Sequence, residues 1–434
     1  MNRPRVAFET LGCKLNQYET DAIAAGFQDL GWEIVDAREP AEAYIVNTCT
    51  VTNKADRKSR NTLGHHLGLP GAPIVVVTGC FAESARESLE GKDGVTFVVP
   101  NGAKNSIAAL VDGHFRGEVP GPGVPEPDPF AFPVHDRVFH TRASLKIQDG
   151  CDNFCTFCII PTVRGRAVSR PLPQVLDAAR KLVKAGRKEL VLTGVNLGRW
   201  RDGPATFTDL VAALLDLEGD FRLRITSLEP EGLGEAFVNL AAHPKFCPHL
   251  HLCLQSGSPR ILLAMRREYT LDQYQTLVDR LRSRVPGLNL TTDLIVGFPG
   301  ETDEDFHRTL GAAEAFGFGA VHVFPFSRRQ GTRADRMADQ VPPGVKDRRV
   351  TELQDWAAHQ RRRVMEALSG QVRRVLVETL DQGRTAETRL KGLTEDYFPV
   401  RFRGTARWNT FARVRLGAVV TEGDDLVLEA EELV

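Results

Sequence analysis

Short apolar runs along the chain alternate with stretches whose apolar residues recur every three or four positions. Residues 6–11, 43–47 and 74–77 are strand-like runs, and 19–30 and 56–67 between them follow the helical period. Each run leads to a cysteine: Cys13, Cys49 and Cys80. A second alternating series occupies 143–147, 189–193, 222–226, 249–254, 289–296 and 320–324. Strands alternating with helices predict a parallel sheet or barrel. Six repeats fall short of the eight of a closed (β/α)8 barrel, so a partial barrel open on one side is expected. Beyond it, 346–368 reads as an amphipathic helix with Leu353, Trp356, Val364 and Leu368 on its apolar stripe. After Ser369 and Gly370 the pattern turns to short strands at 372–379, 397–403, 411–416 and 425–429, which suit a small all-β barrel.

The expected class is therefore α/β. It comprises an N-terminal doubly wound parallel sheet (1–112), a linker (113–136), a partial (β/α)6 barrel with its trailing helix (137–369) and a small β-barrel (370–434). The Gly- and Pro-rich stretch 117–133 marks the linker. A chain of 434 residues has room for several cores.

Composition changes this picture little. The chain is 42% hydrophobic and 26% charged with a net charge of −1, so nucleic acid would have to be met by local patches. No run of about eighteen apolar residues occurs, and no signal-like segment leads the chain. Eight scattered cysteines are too few for a disulfide scaffold, which makes a reducing cytoplasm the expected location.

The cysteines supply the chemistry. Cys151-Asp-Asn-Phe-Cys155-Thr-Phe-Cys158 places three thiols within eight residues, with Phe157 before the third. A 4Fe-4S cluster needs four ligands, so three thiols leave one iron open for another molecule. Structural zinc would want a second knuckle, which is lacking, and a disulfide does not suit the compartment. Cys13, Cys49 and Cys80 lie 36 and 31 residues apart, about one βαβ unit each. Parallel strands would bring all three to one carboxyl edge, where such folds build sites. Each alone reads as a buried small hydrophobe; equivalent placement lets the three converge on a second cluster. Cys247 and Cys253 lack such neighbours and are expected to be structural.

The C-x3-C-x2-C spacing and its aromatic resemble the signature of radical S-adenosylmethionine (SAM) enzymes. Leu11-Gly-Cys-Lys-Leu-Asn-Gln-Tyr-Glu-Thr-Asp21, Asn47-Thr-Cys-Thr-Val51 and Thr78-Gly-Cys80, followed by that loop, resemble the methylthiotransferase family over essentially the whole chain. The wording is most similar to the MtaB branch, which acts on threonylcarbamoyl-adenosine beside the tRNA anticodon. It fits less well the branches acting on isopentenyl-adenosine or on a ribosomal-protein aspartate.

The resemblance implies two 4Fe-4S clusters and SAM used twice. Cys151, Cys155 and Cys158 would hold the cluster that cleaves SAM to a 5′-deoxyadenosyl radical, which abstracts hydrogen from adenine C2. Cys13, Cys49 and Cys80 would hold the cluster that presents sulfur. It also implies a tRNA substrate, an electron donor such as flavodoxin or ferredoxin, and an RNA-binding TRAM domain at the C-terminus.

Other candidate residues follow the barrel strands, where functional groups collect. Thr193, Gly194 and Asn196 are similar to a SAM-binding segment, with Gly194 permitting close backbone approach. Ser227 and Glu229 place a carboxylate for ribose hydroxyls or the SAM ammonium. Gln255 follows the fourth strand, while Asp293 and Gly297 flank a fifth-strand edge suited to adenine. Ordinary turn chemistry explains Gly and Ser at such places equally well. His65-His66 is expected on a solvated helix face, and Arg164, Arg166 and Arg170 either meet phosphate or sit in a solvated loop. Arg401, Arg403, Arg407, Arg413 and Arg415 with Phe402, Trp408 and Phe411 suit phosphate contact and base stacking, unless the aromatics simply face inward. A non-catalytic iron–sulfur RNA-binding protein is the alternative of another class.

Overall fold

The computed structural model describes residues 3–118, 128–132, 140–381 and 388–433. In the N-terminal unit the strands Glu33–Val35, Arg5–Thr10, Ala43–Thr48, Ile74–Gly79 and Phe97–Val99 lie side by side in that order, all parallel. Val76 packs with Phe27 and Ile107 on one face, while its neighbours Val75 and Val77 pack with Leu63 and Phe81 on the other. Alternation along one strand thus fills two cores, as a doubly wound sheet requires. The chain reverses its direction of travel between Arg5–Thr10 and Ala43–Thr48, which creates a crevice beyond their carboxyl ends. The edge strands Glu33–Val35 and Phe97–Val99 have three residues each, too short to stand out as a periodic pattern.

The central unit has six main strands in sequence order. They are Ala143–Lys146, Glu189–Thr193, Arg222–Ile225 (continuing at Ser227–Leu228), His249–Leu252, Asn289–Val296 and Ala320–Pro325. Every named pairing among them is parallel, and the first and last strands do not pair with each other. Leu145, Leu190, Leu223, Leu250 and Leu290 belong to one buried cluster with the surrounding helices, among them Val175 and Leu210. The helix Pro343–Glu366 lays Leu353 and Trp356 on this barrel, and the chain at its end turns Val364, Met365 and Leu368 into the C-terminal core.

The C-terminal unit is a closed barrel of strands Val372–Asp381, Thr388–Thr394, Pro399–Gly404, Asp425–Glu432 and Phe411–Glu422, in that order around it. The strand Thr388–Thr394 escaped the sequence pattern because Thr, Arg, Lys and Gly dilute its apolar positions. This unit caps the amino end of the central strands. Arg222 donates to Arg374 O at 3.1 Å and Leu393 O at 3.0 Å, and Arg224 to Glu395 O at 3.2 Å. Buried Glu189 holds both guanidiniums at 2.6 Å. Much of the Gly- and Pro-rich connection at 117–133 lies outside the described residues. Among the described residues, no helix is long and apolar enough to cross a membrane.

Candidate active site: two cysteine triads on one cavity

The loop carrying Cys151, Cys155 and Cys158 leaves the first barrel strand and folds back on itself. Gly150 has φ +67°, and a Cβ there would sit 2.0 Å from Arg166 O, so only glycine allows the reversal. Cys151 N then donates to Gly165 O at 3.2 Å, and Cys158 N to Cys155 O at 3.0 Å. Thr156 ties the loop to the chain at Ala264 and Met265 (Oγ1 to Ala264 O 2.9 Å, N to Met265 O 3.0 Å). Phe157 meets Phe298 edge-on at 6.5 Å, which accounts for the aromatic in the motif. Arg267 donates to Cys155 Sγ at 3.2 Å and is held from behind by Glu229. Burial pushes the Cys158 thiol up to about 12 and raises Cys155 against the pull of Arg267. Such thiols stay protonated until a metal takes the proton's place.

Cys13, Cys49 and Cys80 meet at the carboxyl edge of the N-terminal sheet. Gly12 has φ +99°, and a Cβ on it would lie 2.7 Å from Cys49 Sγ; the loop before Cys13 is pressed against the second thiol. Ser59 fixes Cys49 from the following helix, accepting from its N–H at 3.3 Å and donating to its carbonyl at 2.9 Å. Thr48 Oγ1 accepts from Ala82 N at 3.1 Å and donates to Thr78 O at 2.6 Å, bracing the turn that carries Cys80. Burial pushes Cys49 up to about 11, and the neighbouring Cys80 and Cys13 thiols add to the rise. Burial also raises Cys80, against Arg164 and Lys104.

A buried ionic network joins the two triads. Glu19, on the helix that starts after Cys13, pairs with Lys104 from its own unit, and with Lys146 (2.8 Å) and Arg164 (3.0 Å) from the barrel. Asp149, two residues before Cys151, pairs with Lys146 at 2.6 Å and Arg164 at 3.0 Å. Asn16 Oδ1 accepts from Arg164 at 2.7 Å while its amide donates to Leu11 O and Thr48 O. Three cations face two carboxylates, and the surplus positive charge lies beside Cys80, where an anionic cluster would sit. On the far side of the barrel opening, Arg329 donates to Thr50 O at 2.6 Å and pairs with Asp56 at 2.9 Å. The N-terminal unit is thereby clamped across the gap between the first and last barrel strands.

All six cysteines line one cavity of about 1880 Å³. Thr193, Gly194, Asn196, Ser227, Glu229, Gln255 and Asp293 line it too, and Gly297 does not. Gly297 faces the helix Pro343–Glu366 instead: a Cβ there would meet Lys346 Cγ at 2.1 Å. Gly194, which lines the cavity, also permits close approach to Gln148 O, 2.9 Å from its notional Cβ. The carboxylate of Glu229 is engaged by Arg267, and Asp293 lies 3.3 Å from His251 Nε2. Asn153 lines the cavity as well, and the buried Oδ1 atoms of Asn153 and Asn196 have no hydrogen-bond partner among the described residues. Buried polar atoms are nearly always satisfied, so these two fit a polar ligand such as SAM.

Several expectations need correcting. His66 is buried and stacked on Tyr44 at 4.6 Å, not solvated; only His65 is exposed. Arg164 is locked in the ionic network and Arg170 is buried, so neither sits in a solvated loop; Arg166 alone is exposed, in a surface pair with Asp152. Phe402 points into the C-terminal core and Phe411 packs under Arg374 at 4.0 Å, leaving Trp408 as the exposed aromatic of that group. Arg401, Arg403 and Arg415 stand opposite Glu429 and Glu431 in register, and Arg401 pairs with Glu429 at 2.8 Å. Cys247 and Cys253 are buried as expected, though Cys253 borders the cavity. The reading by motif assigned no role to Asn16, Glu19 or Lys14, although all three stand in the quoted Leu11–Asp21 segment. Arg267, His251, His322 and Tyr397 carried no local signal.

A six-stranded parallel partial barrel with a three-cysteine loop after its first strand defines a radical SAM protein. Residues 145–313 match the model of the radical SAM superfamily, and residues 5–100 match an uncharacterised family, UPF0004. The threonylcarbamoyladenosine tRNA methylthiotransferase MtaB of Bacillus subtilis is 38% identical over 92% of this chain and 90% of its own. The Thermotoga maritima protein of the same name is 35% identical over 96% and 95%. The chain belongs to the MtaB family of radical SAM methylthiotransferases. Among solved structures, the radical SAM methyltransferase TsrM of Kitasatospora setae has the same fold over 77% of each chain, with a TM-score of 0.58 at 18% identity.

Proposed function

We propose that this chain is the tRNA methylthiotransferase that its relatives' name describes, adding a methylthio group to C2 of threonylcarbamoyladenosine next to the anticodon. The observation that carries the reading is the opening of two cysteine triads onto one cavity. A single triad would suit SAM cleavage alone; two on one cavity suit radical formation and sulfur delivery at one substrate atom.

In this reading Cys151, Cys155 and Cys158 hold a 4Fe-4S cluster, and Cys13, Cys49 and Cys80 hold a second. The bound clusters and SAM supply one-electron cleavage of SAM and the transferred sulfur, chemistry that side chains cannot provide. The chain's own residues position and shield. Arg267, backed by Glu229, steadies Cys155 and offsets its thiolate charge. Asn153 and Asn196 offer acceptors to SAM, with Thr193, Gly194, Ser227, Gln255 and Asp293 along the same wall. Arg164 and Lys104 balance charge at Cys80. The Glu19 network keeps the triads at a constant separation, so that a radical formed at one wall meets sulfur held at the other.

The units 1–112, 137–369 and 370–434 act as sulfur-presenting domain, radical core and TRAM-like RNA-binding domain, and an electron donor such as flavodoxin or ferredoxin serves the core. Mass analysis of tRNA nucleosides tests the assignment. Cells lacking the protein should lose 2-methylthio-threonylcarbamoyladenosine and accumulate the precursor. Loss of the isopentenyl counterpart instead would overturn the substrate.

A further inference from the structure

Away from the cysteines, the same cavity is walled by cations that lack carboxylate partners. Lys14 Nζ has one hydrogen bond, to Tyr397 OH at 3.0 Å, and no ion pair among the described residues. Arg361, half-buried on the helix Pro343–Glu366, has no hydrogen-bond or ion-pair partner among them. Arg361 is only partly withdrawn from water and Lys14 is exposed, so both cations are accessible to an anion that enters the cavity.

Most acidic groups nearby are taken. Asp293 is beside His251, Glu378 pairs with Arg142 at 2.6 Å, and Glu422 is held by Lys391 and Arg401. Asp425 acts on Arg361 without reaching ion-pair distance.

Tyr397 organises this end of the cavity. Its ring stacks on His249 at 4.5 Å, and Arg224 and Lys14 lie 4.8 and 5.0 Å from its centroid. Its φ of +74° is rare for a bulky residue, and such strain persists where surrounding contacts demand the pose. Burial would raise its phenol, yet Lys14 and Arg142 bring it down to about 8, which registers the positive field here. His322 feels both Lys14 and Arg361 and borders the same space.

We infer that Lys14 and Arg361, arranged around Tyr397, form a subsite for the carboxylate of an amino-acid side chain carried on N6 of the substrate adenine. The inference rests on the proposed substrate and deepens it. With C2 presented to the cysteines, the N6 substituent extends several ångströms beyond the ring and must be received elsewhere on the wall. Lys14 follows Cys13 directly, so it is placed to read the substituent of a base whose C2 lies at that triad. A wall offering two unpaired cations, a phenol and imidazoles suits a carboxylate and hydroxyl, and would penalise an apolar substituent.

Binding to the cluster-loaded protein of three anticodon-loop RNAs tests this. One carries threonylcarbamoyladenosine, one the same residue with its carboxylate as a neutral amide, and one unmodified adenosine. The native protein should prefer the carboxylate over the amide by about tenfold, the scale of one charge-assisted hydrogen bond. A Lys14→Gln/Arg361→Gln variant should bring that ratio close to one while binding the amide RNA as before. Arg361→Gln alone, remote from the cysteines, should lower the ratio with iron content unchanged, and Arg361→Lys should restore part of it. An undiminished ratio in the double variant overturns the subsite. An equal loss for all three RNAs overturns it too, by assigning the cations to backbone phosphate. If the native protein ignores the modification altogether, the substrate assignment itself fails.

Discussion

Cys151, Cys155 and Cys158 come from one loop of eight residues, whereas Cys13, Cys49 and Cys80 come from three strand ends 36 and 31 residues apart. The first triad is shaped chiefly by local geometry, the Gly150 reversal and the Cys158–Cys155 backbone bond, with Phe157 and Thr156 anchoring the finished loop to Phe298 and Ala264. The second exists only if a whole parallel sheet is in register. Its position against the first depends on Glu19, Asp149 and Arg164 across the interface. A locally built site tolerates damage elsewhere, while an assembled one inherits every weakness of the elements that present it.

The largest expected effect falls on the local triad. Changing Cys151, Cys155 and Cys158 to Ala should reduce 5′-deoxyadenosine formation to background, read by chromatography of the products. Next is the interface: Glu19→Gln or Arg164→Met leaves buried charges unpaired, at a cost of about 3–5 kcal/mol in unfolding free energy. Denaturant titration with iron analysis should show that loss, with the N-terminal triad emptied before the barrel triad.

Acid probes the same contact more gently. Burial alone would raise Glu19, but Arg164, Lys104 and Lys146 together hold it well below the usual carboxylate range. Its stabilisation is fully present above the unfolded value of about 4.3 and is lost as pH falls through the lower folded value. Thermal midpoints of Glu19→Gln should therefore fall less on acidification than those of the native protein.

A paired glycine test sharpens the contrast. Gly12→Ala should cost about 1–3 kcal/mol and release iron from the assembled triad only, whereas Gly150→Ala should do the same to the loop triad. The smallest effect is expected outside both. Exchanging Arg401, Arg403, Arg413 and Arg415 for Glu should weaken tRNA binding and flatten its salt dependence. SAM cleavage without tRNA should persist.

The same contrast explains what could be read from sequence. Period and spacing revealed the six barrel strands and the edge that gathers Cys13, Cys49 and Cys80, because parallel strands force equivalent ends together. The three-residue edge strands and Thr388–Thr394 were too short or too polar to show a period. Arg164 read as a phosphate contact or a solvated loop residue because its partners Glu19 and Asn16 lie about 145 positions away in the chain. Gly297 followed a plausible ligand motif, yet its hydrogen atom faces Lys346, a contact made only when the long helix docks. Arg361 and Tyr397 belong to units that meet the barrel late in the chain, so no local pattern joins them to Lys14.

The central claim is that the two triads hold separate clusters with different tasks. The direct measurement is iron content, 5′-deoxyadenosine and methylthiolated nucleoside on one folded Cys13/Cys49/Cys80→Ala preparation. The account predicts about half the native iron, given one cluster per triad, continued SAM cleavage with a strong reductant, and no methylthio group on tRNA. Full iron and full methylthiolation in that variant would contradict it and leave the N-terminal cysteines as buried side chains.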